Sequence, residues 1–234
     1  MGERLSTGLK VGRYEIVAPW GAGGGGGGRM YRGRDCRLER AVTLRAVDAG
    51  GPDRRRRFLE AARKLAAIGH PNIATVYDFV CGNEVDVIVL EPLTGETLAA
   101  AIPVGGMRPK VVLRLAAQIA DALAAAHAHG IAHGNLATDA ILLEEKRRVR
   151  ILDFGLAAPA PPDAPAGESV FEGDLRASGA ILYEALTGRR PGTAPSPLPD
   201  TVPSALAGLV MGCLRGETGT AAELLAALAA ITIG

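Results

Sequence analysis

The stretch that most restricts what this chain can become is Ile131–Gly155, IAHGNLATDAILLEEKRRVRILDFG. Two apolar runs, Ala140–Leu143 and Val149–Leu152, are joined by the charged segment Glu144–Arg148. Short apolar runs on either side of a polar turn predict a tight β-hairpin with both strands partly buried. His133 and Asn135 precede the first strand, and Asp153 follows the second. A carboxylate at the end of a buried strand is costly unless it has a partner, so Asp153, followed by Phe154-Gly155, reads as a residue that holds something.

With 234 residues, 48% of them apolar, the chain can bury a substantial core. Its net charge of +1 gives no global field of the kind that draws a protein to nucleic acid or a membrane surface. Cys36, Cys81 and Cys213 are odd in number, scattered and in no CxxC arrangement, which predicts free thiols in a reducing cytosol. The weakly charged stretches Leu115–Ala132 and Leu224–Ile233 are alanine-rich, interrupted or short, and predict buried helices rather than membrane spans. No leader precedes Tyr14, so a cytoplasmic protein is expected.

Residues 1–13 read as a polar lead-in, and Tyr14–Ala18 as a first strand. Gly23–Gly28 follows, a run that can lay backbone N–H groups over phosphates or serve only as a low-complexity turn. Ala41–Val47 is the next strand, and Arg45 within it can equally be a solvent-facing residue. Asp53–Ile68 is a helix with an apolar face of Phe58, Leu65 and Ile68, and its arginines Arg54–Arg57 read as a solvated face. Thr75–Val80 and Val85–Leu90 form a second hairpin around Cys81–Glu84. Val112, Leu115, Ile119, Leu123 and Ala126 make one stripe of a long helix, Lys110–His129, with Pro109 at its start and Gly130 at its end. His127 and His129, two apart on that helix, read as helix-end cations rather than metal ligands. Leu156–Gly173 is an Ala/Pro-rich linker, and Pro203–Leu214 and Thr220–Ala230 are closing helices.

Taken in order, these features resemble a protein kinase, specifically the bacterial eukaryote-like Ser/Thr kinases. Laid on the kinase pattern H-R-D-x-K-x-x-N, the chain reads His133-Gly134-Asn135-Leu136-Ala137-Thr138-Asp139-Ala140, followed by Asp153-Phe154-Gly155. His70-Pro71-Asn72-Ile73 and the stretch Asp174–Gly188, read as the buried central helix, extend the match. The resemblance implies an α+β, bilobal fold in a single domain over residues 1–234. Its parts are a small antiparallel β-rich N-lobe with one main helix (about 12–90), a hinge (91–95) and a mostly helical C-lobe (about 96–232) with a shortened activation segment.

The resemblance also implies a site. Gly23, Gly25, Gly28, Thr43, Arg45, Glu91, Leu93 and Leu142 fall at nucleotide-binding positions, and Asp153 at the Mg²⁺ position. Leu90 is the gatekeeper, and Thr43 replaces the alanine that roofs the adenine. Several positions depart from the pattern. Asn135 stands where the catalytic aspartate belongs, Ala137 where the lysine belongs, and Ala140 where the second metal ligand belongs. Arg45 replaces the phosphate-gripping lysine, and Ala61 its glutamate partner, with Glu60 one residue early. Asp139 is next to the lost ligand, but Leu136 and Ile141 fix the register against its taking that role. By contrast Leu65, His133, Phe154 and Asp174 match the packing between the lobes.

The expectation is therefore a pseudokinase in signalling, either a scaffold for a protein partner, such as an active kinase or its substrate, or a nucleotide-sensing switch for ATP or ADP, with Mg²⁺. The alternative is a weakly active ATP-dependent Ser/Thr protein kinase.

Overall fold

The computed structural model describes residues 5–20, 29–154 and 169–232. The N-terminal part is a six-stranded antiparallel sheet of β1 (Lys10–Val11), β2 (Tyr14–Pro19), β3 (Arg29–Asp35), β4 (Arg40–Asp48), β5 (Val76–Val80) and β6 (Val85–Leu90), in the order β1-β2-β3-β4-β6-β5. Between β4 and β5 runs α1 (Pro52–Ile68). Pro52 suits its first turn, and Gly69 ends it in the left-handed conformation with its N–H on Leu65 O. The buried face of α1 carries Phe58, Ala61, Ala62 and Leu65. Phe58 packs on the sheet, its ring centroid 4.9 Å from that of Phe79.

After the sheet come β7 (Glu96–Thr97), α2 (Leu98–Ala101) and α3 (Pro109–His127). The hairpin β8 (Ile141–Leu143) and β9 (Val149–Ile151) pairs with β7 in a three-stranded sheet. The helices α4 (Val170–Thr187), α5 (Ser204–Arg215) and α6 (Ala221–Ala229) complete the chain. The stripe foreseen on α3 is its buried face, and α3 packs between α4 and α6. Each fully buried Leu or Ile there contributes about 1.5–3 kcal/mol relative to exposure. The organising hairpin forms in the expected register, Ile141↔Ile151, Leu142↔Arg150 and Leu143↔Val149. Its strands are more deeply buried than expected: Ile141, Leu142, Val149 and Ile151 are fully covered.

The structure corrects several boundaries. The lead-in contains a short strand, β1, because Lys10 and Val11 pair with Glu15 and Tyr14. Helix α3 stops at His127, and Gly130 follows with φ +70°. Helix α4 begins at Val170, inside the expected linker, because Ser169 and Glu172 form a reciprocal capping box. The arginines of α1 are not all solvated. Arg55 makes a two-pronged bond to the buried Asp86 on β6 at 3.0 and 2.6 Å, and Arg54 reaches Asp48 O.

The segment Asn72–Ala74 ties the two parts together. Ile73 bridges Ile151 in parallel, Ala74 N–H donates to Ile151 O, and Ile151 N–H donates to Asn72 O. Asn72 Nδ2 adds bonds to Gln118 Oε1 and Val149 O at 3.1 and 2.8 Å. The hairpin that carries Asp153 is thereby fixed against the N-terminal part.

Candidate functional site

The loop before β8 is held from below by one carboxylate. Asp174, buried on α4, accepts the backbone N–H of His133 and of Gly134, each at 2.7 Å. Its Oδ2 also lies 2.8 Å from His127 Nε2. His133 is buried, with Nδ1 accepting the Asn135 N–H at 3.3 Å, so its proton sits on Nε2 and is donated to Leu152 O at 2.8 Å. Burial pushes the His133 imidazole below its ordinary value, against the pull of the Asp174 and Asp153 charges. Its ring packs on Phe154 at 4.9 Å. Leu65, Ile73, Ile151 and Phe154 line one small cavity beside Asp153. The four residues expected to keep the parts in register are thus buried on this column.

The other expected site positions differ in exposure and polarity. Asn135 is exposed, Ala140 is buried, and neither Ala137 nor Ala140 carries a polar side-chain atom. Ala61 is buried on α1, while Glu60 faces solvent and pairs with Arg56 at 3.7 Å. Arg45 consequently has no carboxylate from α1. It is not the solvent-facing strand residue that the sequence allowed: it is 1% exposed, and its Nη2 forms an ion pair with Asp153 Oδ2. Among the described residues, Arg45 Nε and Nη1 have no hydrogen-bond partner. Burial pushes the Asp153 carboxyl up from the ordinary carboxylate value, while the charges of Arg45 and His133 pull the other way and that of Asp139 adds to the rise. Asp153 also adopts φ +66°, a left-handed conformation that aspartate tolerates better than most residues.

At the opposite end, Thr43 and Leu93 meet. Thr43 Oγ1 accepts the backbone N–H of Leu93 at 3.0 Å, and both residues are buried. Leu93, Leu90, Leu142, Leu152, Ala74 and Met30 belong to one apolar cluster, against which Trp20 packs. The Glu91 N–H goes to Thr75 O at 3.0 Å, and its carboxylate accepts the Thr75 N–H and pairs with Arg150 at 2.8 Å. The structure therefore joins Thr43 to Leu93 and Arg45 to Asp153 and packs Leu142 with Leu93, while the Glu91 carboxylate turns to Thr75 and Arg150. Gly23, Gly25, Gly28 and Gly155 lie outside the described residues. Sequence reasoning missed the partners of Thr43, Arg45 and His127, and the brace formed by Arg150. A buried strand position at even spacing from Thr43 was the available signal for Arg45.

The model of the protein kinase domain matches residues 20–173, and the chain belongs to that family. It is 30% identical over 214 residues to the serine/threonine-protein kinase PrkC of Bacillus subtilis (strain 168), covering 82% of this chain and 32% of that protein. It is 31% identical over 215 residues to the serine/threonine-protein kinase PknB of Mycobacterium tuberculosis (strain ATCC 25618 / H37Rv), covering 80% of this chain and 34% of that protein. The chain thus spans about a third of the length of these curated relatives. Among solved structures, it resembles Rad53 1–466 in complex with AMP-PNP with a TM-score of 0.69 at 20% identity, over 91% of this chain and 64% of that one. The fold is kinase-like, with an antiparallel N-terminal sheet and a helical C-terminal part. No helix among the described residues is long and apolar enough to cross a membrane.

The side chains present fit the family's metal-bound nucleotide poorly. Asp153 already faces a guanidinium, and the neighbouring ligand position is Ala140.

Proposed function

We propose that this chain is a catalytically impaired kinase-like domain that acts in signalling by binding another protein, an active kinase or its substrate. One observation carries this reading. The backbone of the loop 133–140 is held by Asp174 and His133, yet the loop presents Asn135, Ala137 and Ala140 where proton acceptance, charge and metal ligation are needed. An amide can hydrogen-bond a substrate hydroxyl but cannot take its proton as a carboxylate does. A maintained frame around absent chemistry supports a surface-based role.

A second reading, a weakly active ATP-dependent Ser/Thr kinase, draws support from the relatives at about 30% identity, which are named as kinases. Radiolabel transfer from [γ-³²P]ATP to the chain or to a generic Ser/Thr substrate, at high protein concentration, separates the two. No transfer is expected. Transfer that disappears in Asp153→Ala overturns the scaffold reading and establishes the enzyme.

A further inference from the structure

Thr43 and Arg45 are two residues apart on β4 and so project from the same face of the sheet. Each meets a group across the cleft that the kinase resemblance assigns to a ligand. The Thr43 hydroxyl receives the Leu93 N–H, the hinge donor for a nucleotide base. The Arg45 guanidinium faces Asp153, the position of the metal. Leu142 is 0% exposed and belongs to one apolar cluster with Leu93, Leu152 and Met30.

We propose that the cleft of this chain does not take a Mg²⁺-bound nucleotide, because Thr43 and Arg45 stand in for the two ends of that ligand and hold the cleft closed without it. The hydroxyl occupies the donor a base would need. The guanidinium, which cannot lose its proton, neutralises the carboxylate that a divalent cation would need. A metal at Asp153 would leave Arg45 buried beside like charge, because among the described residues Asp153 is the carboxylate it pairs with. The same pair joins β4 to the segment after β9, a link between the sheet and the helical part that a lysine–glutamate pair between β4 and α1 does not make.

This goes beyond the loss of catalysis, because a chain that transfers no phosphate can still bind nucleotide. The two ideas also fail separately: nucleotide binding without transfer removes only the closed cleft, whereas transfer removes the impaired-domain reading as well.

The test is thermal unfolding of the full chain with millimolar ATP plus EDTA, with ATP plus Mg²⁺, and with Mg²⁺ alone, for the wild type and for the double variant Thr43→Ala/Arg45→Lys. The wild type is expected to show no rise in any arm. The variant is expected to gain a rise that requires ATP and Mg²⁺ together, about 5–10 °C at hundredfold excess over Kd. A wild-type rise with ATP and Mg²⁺ overturns the proposal. So does a rise with ATP and EDTA, which would make the unpartnered Arg45 nitrogens an anion site. A folded double variant as unresponsive as the wild type overturns the assignment to Thr43 and Arg45. Should the double variant not fold, amide exchange decides. The Leu93 N–H of the ligand-free wild type is expected to exchange at least tenfold more slowly than in Thr43→Val, and equal rates overturn the proposal.

Discussion

His127 Nε2 lies 2.8 Å from Asp174 Oδ2, so the last turn of α3 and the second turn of α4 meet on one buried carboxylate. Phe171 packs edge-on against the same imidazole, with ring centroids 4.8 Å apart. Because the carboxylate also holds the His133 and Gly134 amides, two helices and the loop before β8 share a single anchor.

Asp174→Ala should therefore destabilise the fold by about 3–5 kcal/mol. It leaves two backbone donors and an imidazole without their acceptor in a dry environment. His127→Ala removes one of the three bonds and should cost about 1–2 kcal/mol. Urea unfolding at pH 7, read by far-UV circular dichroism, orders the two variants. Equal small losses would mean that the anchor is dispensable.

His133 makes a pH-dependent prediction. Its imidazole is buried and neutral, with a folded value pushed below the ordinary one by desolvation. The unfolded chain then binds more protons than the folded chain as pH falls from about 6.5, so stability falls with it. The loss is at most about 1.4 kcal/mol per pH unit for one proton. Between pH 7 and pH 5 the wild type should lose more stability than His133→Gln, whose amide can still donate to Leu152 O. Parallel pH profiles for the two proteins would exclude His133 as the source.

How much of this was legible depended on the distance over which each interaction is written. The hairpin 140–152 and the stripe of α3 are local periodicities, and they formed as the sequence indicated. The start of α4 was also written locally, in Ser169-x-x-Glu172, but alanines and prolines on its N-terminal side masked it. The pairs Arg45–Asp153, Thr43–Leu93 and His127–Asp174 join residues far apart in the chain. Each uses a polar residue whose local setting suits solvent equally well, so only the assembled fold specifies its partner. The departures expected at 135, 137 and 140 rest on the register of the kinase pattern, and they could not reveal that Arg45 pairs with Asp153.

Gly95, just before β7, has φ +91°, and a Cβ there would lie 2.0 Å from Leu143 O. Neither strain nor clash can relax cheaply, because Leu143 is paired with Glu96 between β7 and β8. Gly95→Ala should cost at least about 2 kcal/mol, more than a glycine substitution at an open position. Gly51→Ala is the control, since nothing lies within 4 Å of a Cβ there. Urea midpoints of the two variants provide the comparison, and similar values would show that the β7–β8 connection yields easily.

Arg150 on β9 braces the segment that follows β6. Its Nη1 donates to Pro71 O at 2.8 Å, its Nη2 pairs with Glu91 Oε2 at 2.8 Å, and its Nε lies 3.4 Å from Glu144 Oε2. The fork thus reaches the loop after α1, Glu91 after β6 and the hairpin turn at once, with only 12% of its side chain exposed. A lysine can satisfy one of these directions with its single ammonium but not all three. Arg150→Lys should therefore cost about 1–2 kcal/mol and Arg150→Ala about 2–3 kcal/mol, below the full range for a dry ion pair because the site retains some solvent. In a cycle with Glu91→Ala, the Arg150–Glu91 coupling should be about 1 kcal/mol or more, since the two share a direct bond and Glu91 also accepts the Thr75 N–H. Additive losses in urea unfolding would mean that the two residues act independently. The brace would then rest on the guanidinium contacts with Pro71 O and Glu144.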